Sequence, residues 1–154
     1  MTPPMPILDA LHQMPLAVWL RTSGWVYPAL EAVHIVAIAL VFGTLWIVDL
    51  RLLGAMRRID LHLLARHVIP WTLAGFALAV CSGLLMFITQ AGDLVGNRAF
   101  VIKMCLLFAA GTNAALLHSR GPLDDGDRLT HVQAIASLLI WLAVIACGRW
   151  IAYV

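Results

Sequence analysis

Residues 25–50 read WVYPALEAVHIVAIALVFGTLWIVDL, a run with no charged residue between Glu31 and Asp49. A helix needs about 20 mostly apolar residues to cross a bilayer, and this run is long enough. It is continuously apolar, whereas a strand of a membrane barrel alternates apolar and polar residues over a short segment. The stretch therefore predicts a membrane-spanning α-helix.

Three further apolar runs follow the first, and short polar links join them. They cover residues 67–90, 99–119 and 129–151. Four spans with short links predict an all-α, integral membrane four-helix up-and-down bundle. We assign residues 24–154 to this transmembrane domain and residues 1–23 to an N-terminal interfacial segment with a short amphipathic helix.

Composition supports the same class of protein. The chain has 154 residues, of which 62% are hydrophobic and 12% charged, and its mean hydropathy is +0.93. A soluble domain is about 45–50% apolar and about 25% charged, so the expected surroundings are a lipid bilayer. The net charge of +2 gives no reason to expect a nucleic-acid partner.

Helix boundaries and orientation follow from local residues. Asp60 and Thr130 are predicted N-caps, and Pro70 either begins or kinks the second spanning helix. Six Lys or Arg residues flank one side of the spans and four flank the other. Because positive residues favour the cytoplasmic side, we predict a bacterial inner-membrane protein with both termini in the periplasm.

Small residues predict where helices approach closely. Gly75, Ala79 and Gly83 recur every four residues on the second span and form one continuous stripe. Lipid gives helices no hydrophobic reason to associate, so close contact between backbones depends on such stripes. We expect this stripe to face the interior of the bundle.

Ionisable residues inside the spans indicate a polar interior, because such groups are costly in lipid and face other helices. Glu31 and His34 lie one turn apart, and Lys103 enters the third span from the same side of the membrane. In one interpretation, His34 binds a metal, a haem or a quinone-like head group, and Glu31 orients its ring. In the other, Glu31 pairs with Lys103 and His34 bonds to a backbone group or a hydroxyl. The pair is the preferred arrangement.

The carboxylate of Asp49 ends the first span, five turns after Glu31 and on the same helix face. Arg51 or Arg66 can satisfy it there, so we interpret Asp49 as a structural anchor.

A b-type haem in a helical bundle needs two imidazoles at matching depth. His67, His118 and His131 all lie near the cytoplasmic ends of spans, whereas His34 lies about 20 Å from that level. A bis-histidine site would therefore use two of those three residues. The alternative is that they are interfacial side chains at helix ends. Copper binding by the Met and Cys residues of the spans is less favoured than simple packing.

The sequence resembles a bacterial family of small four-helix membrane proteins of unknown function, from about Trp19 to Ser119. The shared motifs are WVYPALEAVH at residues 25–34, Gly43, DLRLLG at residues 49–54, Pro70-Trp71, Gly75-Phe76, Ser82-Gly83, Phe100, Lys103 and Asn113. More distantly, Gly83, Phe100, Lys103 and Asn113 resemble the copper-resistance D membrane domain, which is associated with cytochrome b561-like bundles. That resemblance implies a haem or metal role.

No catalytic motif is present: the chain lacks a P-loop, HExxH and GxSxG. Enzyme status stays open, at most as a subunit of a membrane oxidoreductase. We expect a small ligand-binding or electron-transfer subunit, with haem b as its cofactor, in a homo-oligomer or membrane complex. The alternative is a non-redox structural subunit or a small transporter module for a metal or solute.

Overall fold

The computed structural model describes residues 6–121 and 126–153. This part of the chain is 87% helical and has no strand, which confirms the predicted all-α class. The helices are α1 (Pro6–His12), α2 (Pro15–Thr22), α3 (Val26–Leu52), α4 (Leu61–Thr89), α5 (Ala91–Gly96), α6 (Arg98–Ser119) and α7 (Arg128–Trp150), and a 3-10 turn at Ile151–Tyr153 follows α7.

Four of the helices, α3, α4, α6 and α7, are long and apolar enough to cross a membrane, as the sequence predicts. Their outward side chains are large and apolar; Phe108 on α6, for example, is 80% exposed. A surface of this kind is stable against acyl chains and unstable against water. We call the end of the bundle that holds Val26 the outer end and the end that holds Leu52 the inner end.

The second spanning helix begins at Leu61, six residues before the predicted start. The Asp60 carboxylate accepts a hydrogen bond from the Leu63 backbone N–H (2.7 Å), which confirms Asp60 as the N-cap. The helix continues through Pro70, whose ring nitrogen cannot donate to the carbonyl four residues earlier.

The predicted N-cap at Thr130 is wrong. Asp127 caps α7 by accepting from the Leu129 N–H (3.2 Å), and Thr130 lies inside the first turn with its side chain buried. The Asp127 carboxylate, three residues before Thr130, accepts from the free N–H of that turn in its place. Residues 122–125 of the predicted polar link lie outside the described residues.

Two antiparallel hairpins make up the bundle. α3 packs along α4, α6 packs along α7, and the two hairpins join where α3 contacts α7. α4 and α6 meet locally at the outer end, where the rings of Phe87 and Phe100 stack with centroids 5.7 Å apart. The bundle is therefore held along three of its four edges and pinned at one end of the fourth.

The two N-terminal helices lie against the outer end of the bundle. α2 buries Ala17 and Leu20, and it contacts α3 and α4. Arg21 donates to the backbone carbonyls of His12 (2.8 Å) and Thr89 (3.4 Å), so it ties both short helices to the last turn of α4. These helices lie within the predicted interfacial segment, of which residues 1–5 are outside the described part.

Gly75 is a point of close approach between α3 and α4. A Cβ atom added there would lie 3.2 Å from the Leu40 side chain and 3.2 Å from Val41 Cγ2. The small-residue stripe therefore faces α3, as predicted from its spacing.

Replacing Gly75 by valine should push α3 and α4 apart. Overpacking of this kind lowers the free energy of unfolding by about 1–3 kcal/mol. Gly111→Val on α6 is the matched control, since a Cβ atom at Gly111 meets nothing within 4 Å. Denaturation in detergent micelles measures both, and equal losses for the two variants would contradict the close contact at Gly75.

Candidate functional site

Each of the four spanning helices contributes one polar side chain to a group near the outer end. This outer polar cluster consists of His34 on α3, Ser82 on α4, Lys103 on α6 and Cys147 on α7. His34 lies eight residues after the start of α3, about 12 Å along the helix axis, and so inside the hydrocarbon region. Sequence reasoning selected His34 and Lys103 from this cluster.

His34 is held by a hydrogen bond of 2.8 Å between its Nδ1 and the hydroxyl oxygen of Ser82. The Ser82 hydroxyl itself donates to the Leu78 carbonyl at 2.6 Å, so its proton is committed. Ser82 then accepts from His34, which assigns the ring proton to Nδ1; the Ala79 carbonyl, an acceptor, lies beside the same ring. In the neutral ring, Nε2 is left as a hydrogen-bond acceptor.

Gly83 makes this arrangement possible. A Cβ atom at that position would lie 3.1 Å from His34 Cε1, so the imidazole rests directly on the backbone of α4. The predicted alternative for His34, a bond to a hydroxyl, is the arrangement that the structure contains. This contact does not exclude a ligand at Nε2, which lies 4.0 Å from the same Cβ position.

Lys103 reaches from α6 toward α7. Its Nζ atom lies 3.5 Å from the position that a Cβ atom would occupy at Gly148, and its charge interacts with Cys147 and with His34. Within the described residues, the ammonium group has no hydrogen-bond or ion-pair partner. The ammonium group has three N–H donors, and no acceptor in the described structure receives them.

The expected ion pair between Glu31 and Lys103 does not form. Glu31 is exposed, and the charge that it contributes locally acts on Tyr27, one turn earlier on α3. Glu31 lies near the outer end of α3, so its carboxylate is close to the polar surface of the membrane. It therefore needs no cation inside the bundle. Ser82, and not Glu31, fixes the tautomer of His34.

The three histidines of the predicted haem site occupy inner helix ends, at the depth expected. In each of them, Nδ1 lies 2.8–2.9 Å from the backbone carbonyl four residues earlier. The histidines are His67 on α4, His118 on α6 and His131 on α7. Since a carbonyl only accepts, each Nδ1 carries the proton and each Nε2 keeps its lone pair in the neutral ring.

Contacts between helices separate one of these histidines from the other two. α6 and α7 pack together and carry His118 and His131, whereas His67 lies on α4, in the other hairpin. Across residues 6–121 and 126–153, no group of three or more His, Cys, Asp or Glu side chains could hold a metal ion.

A second polar group, near the inner end, was missed by sequence reasoning. This inner polar cluster consists of Asp49 on α3, Asn113 on α6, and Gln133 and Ser137 on α7. Asn113 donates to the Gln133 carbonyl (3.0 Å), and the Ser137 hydroxyl lies beside the Asp49 carboxyl. The signal was present in the spacing: Gln133 and Ser137 lie four residues apart on one face of an apolar helix.

Asp49 is not satisfied as predicted. Arg51 donates from Nε to the Ile59 carbonyl (2.7 Å), and Arg66 is exposed. One carboxylate oxygen of Asp49, Oδ2, is buried without a hydrogen-bond partner. Arg51 is two residues from Asp49 on the helix, so the two side chains project from nearly opposite faces.

The turn between α6 and α7 is closed by Arg120. Its guanidinium donates to Gln133 Oε1 (3.0 Å) and Thr130 Oγ1 (3.0 Å), and it forms an ion pair with Asp127. The Leu129 N–H and the Arg120 charge together hold the pKa of the Asp127 carboxyl below its usual range. The network fixes the start of α7 and hence the depth of the inner polar cluster.

Fold and site together define a four-span membrane protein with two polar clusters in its interior. Residues 14–154 match the model of a family described as "Family of unknown function (DUF6644)", and the chain belongs to that family. This confirms the predicted membership of an uncharacterised family; the resemblance to copper-resistance D and cytochrome b561 domains stays a prediction. No curated protein and no solved structure matches the chain.

Ser82→Ala should loosen His34. Loss of a hydrogen bond inside the bundle lowers the free energy of unfolding by about 0.5–1.5 kcal/mol. A double-mutant cycle with His34→Leu should show most of this loss as coupling between the two residues. Thr112→Ala is the control, because that hydroxyl is exposed and bonds only within its own helix. A coupling energy near zero would contradict the His34–Ser82 bond.

Proposed function

We propose that the chain is a small ligand-binding subunit of the bacterial inner membrane, and that its outer polar cluster binds the head group of a lipid-soluble ligand. One observation supports this most directly: His34 Nε2 and Lys103 Nζ have no hydrogen-bond partner within the described residues, although they lie inside a membrane span. Polar groups in this situation are costly to maintain and commonly mark binding sites.

The chemistry of the two groups specifies the ligand. Nε2 of a neutral His34 accepts a hydrogen bond, so it fits a hydroxyl group. The ammonium group of Lys103 donates, so it fits a carbonyl oxygen or an anionic oxygen. A quinol head group satisfies both, because one ring hydroxyl donates to Nε2 and the oxygen of the other accepts from Lys103; in the oxidised form, a carbonyl oxygen takes that second place.

Access to these atoms is open. Among the described polar side-chain atoms, Asp49 Oδ2 is buried from solvent without a hydrogen-bond partner. His34 Nε2 and Lys103 Nζ are not buried in this way. Gly83 and Gly148 contribute no side chain beside the two groups. The edge between α4 and α6, where the described residues meet at the Phe87–Phe100 stack, would provide a route from the lipid.

The ligand would exchange electrons with a partner oxidoreductase, since no catalytic motif accompanies the site. For this exchange, the chain would work in a homo-oligomer or a membrane complex. The excess of Lys and Arg at the inner end supports an orientation with both termini in the periplasm. In that orientation, the outer polar cluster lies in the periplasmic half of the bilayer.

Binding of a short-chain ubiquinol analogue to the purified protein in lipid nanodiscs tests this proposal. A hydrogen bond that involves a charged group contributes about 1.5–3 kcal/mol, so Lys103→Met should weaken binding by about tenfold to a hundredfold. His34→Leu should weaken it as well. Isothermal titration calorimetry measures the dissociation constants.

Glu31→Gln is the matched control, because it removes a charge of the same helix that lies outside the cluster. Its dissociation constant should equal that of the unmodified protein. A protein that binds no quinol, or one that binds it equally well in all four forms, would contradict the proposal and favour a structural or transport role.

Haem b is a second candidate ligand, favoured by the tautomer of the inner histidines. Iron-ligating imidazoles donate the other ring N–H to a carbonyl, carboxylate or water, and His118 and His131 have this arrangement on adjacent helices. These two residues would hold the iron through their Nε2 atoms. A haem there would supply one-electron transfer between the ligand and the partner protein.

An absorption spectrum of the purified protein, oxidised and reduced, tests the haem. We expect a Soret band that His131→Ala abolishes and that His62→Ala, a change at an exposed histidine of α4, leaves intact. A colourless preparation from haem-sufficient cells would exclude this candidate without affecting the quinol site.

A further inference from the structure

The carboxyl group of Asp49 is the most deeply buried ionisable group in the described part of the spans. Its residue is 4% exposed, and its Oδ2 atom has no hydrogen-bond partner. The hydroxyl of Ser137 on α7 lies within reach of the carboxyl group, and Ser137 and Gln133 are themselves 8% exposed. The group is thus enclosed between α3 and α7.

A carboxylate in these surroundings lacks compensation. An ionised carboxylate has only acceptor sites, about four in total, and each one left empty in a low-dielectric interior is costly. A protonated carboxyl group is neutral, and its O–H is a donor. Neutralising the group therefore removes the buried charge.

No cation in the described structure compensates the charge. The charged and titratable groups at this end of the helices that contact α3, together with those of the turn before α7, are Arg51, His62, Arg66, His67, Arg120, Asp127, Arg128 and His131, of which His62 is exposed. Arg51 donates to the Ile59 carbonyl, Arg120 to Asp127 and its neighbours, and His131 to the Asp127 carbonyl. Arg66, His67 and Arg128 are exposed.

We propose that the Asp49 carboxyl group is an intramembrane proton-binding site, distinct from the outer polar cluster and loaded from the inner face. Asp49 lies three residues before the end of α3, about 4.5 Å along the axis, so a proton from the aqueous side has a short path. One proton adds to one carboxylate oxygen, and the product is a neutral acid that the Ser137 hydroxyl contacts. Ionisable groups at such depths serve as proton relays in membrane proteins.

Infrared spectroscopy of the full chain in nanodiscs at pH 7 tests the site. An aspartate in water titrates near about 3.9 and is ionised at that pH. We expect a carbonyl stretch of a protonated carboxylic acid that shifts in heavy water, is lost in Asp49→Asn and remains in Glu31→Gln. The same band in Asp49→Asn, or no band in the unmodified protein, would overturn the proposal.

A second measurement needs no variant. The O–H of a protonated carboxyl group in apolar surroundings adds across a C=N bond of dicyclohexylcarbodiimide. The resulting O-acylisourea rearranges to a stable N-acylurea, which peptide mass spectrometry locates. We expect labelling at Asp49 that falls as the pH rises and is the same in sodium chloride as in choline chloride. Unlabelled Asp49, or protection by sodium, would overturn the proposal; protection would indicate a sodium site instead.

Discussion

The hydrocarbon interior of a bilayer offers no hydrogen-bond partner, and the arrangement of polar residues in this protein depends on that constraint. The buried polar side chains of the spans lie against other helices, and the outward surfaces are mostly apolar. α3 shows both results on one helix: His34 bonds to Ser82 of α4 in the outer half, and Asp49 lies beside Ser137 of α7 near the inner end. The helix that joins the two hairpins therefore also carries the two polar sites.

Glycine controls how closely the polar groups can approach. Gly75 sets the distance between α3 and α4, and Gly83 lets the His34 ring rest on the backbone of α4. Gly148 gives the Lys103 side chain its place beside α7. At each of these positions, the absence of a side chain leaves room for a neighbouring group. The same glycines therefore determine both the helix packing and the positions of the polar groups.

The sequence predicted the four spans, their order and the stripe at Gly75, because length, hydropathy and four-residue spacing are local properties. The sequence did not predict those contacts that depend on how a helix is rotated relative to its neighbours. Glu31 and Asp49 share one face of α3, yet one is exposed and the other buried, because neighbouring helices cover only part of that face. For the same reason, neither the bond of His34 to Ser82 nor the orphaned oxygen of Asp49 could be predicted.

We propose that the bundle holds His34 through Nδ1 and leaves Nε2 as the acceptor for a ligand. Nitrogen-15 NMR of ring-labelled histidine in nanodiscs, assigned by comparison with His34→Leu, tests it most directly. We predict that His34 is the Nδ1–H tautomer, with Nε2 unprotonated, and that Ser82→Ala disturbs this signal while Thr112→Ala does not. A His34 signal with the proton on Nε2, unchanged by Ser82→Ala, would contradict the account.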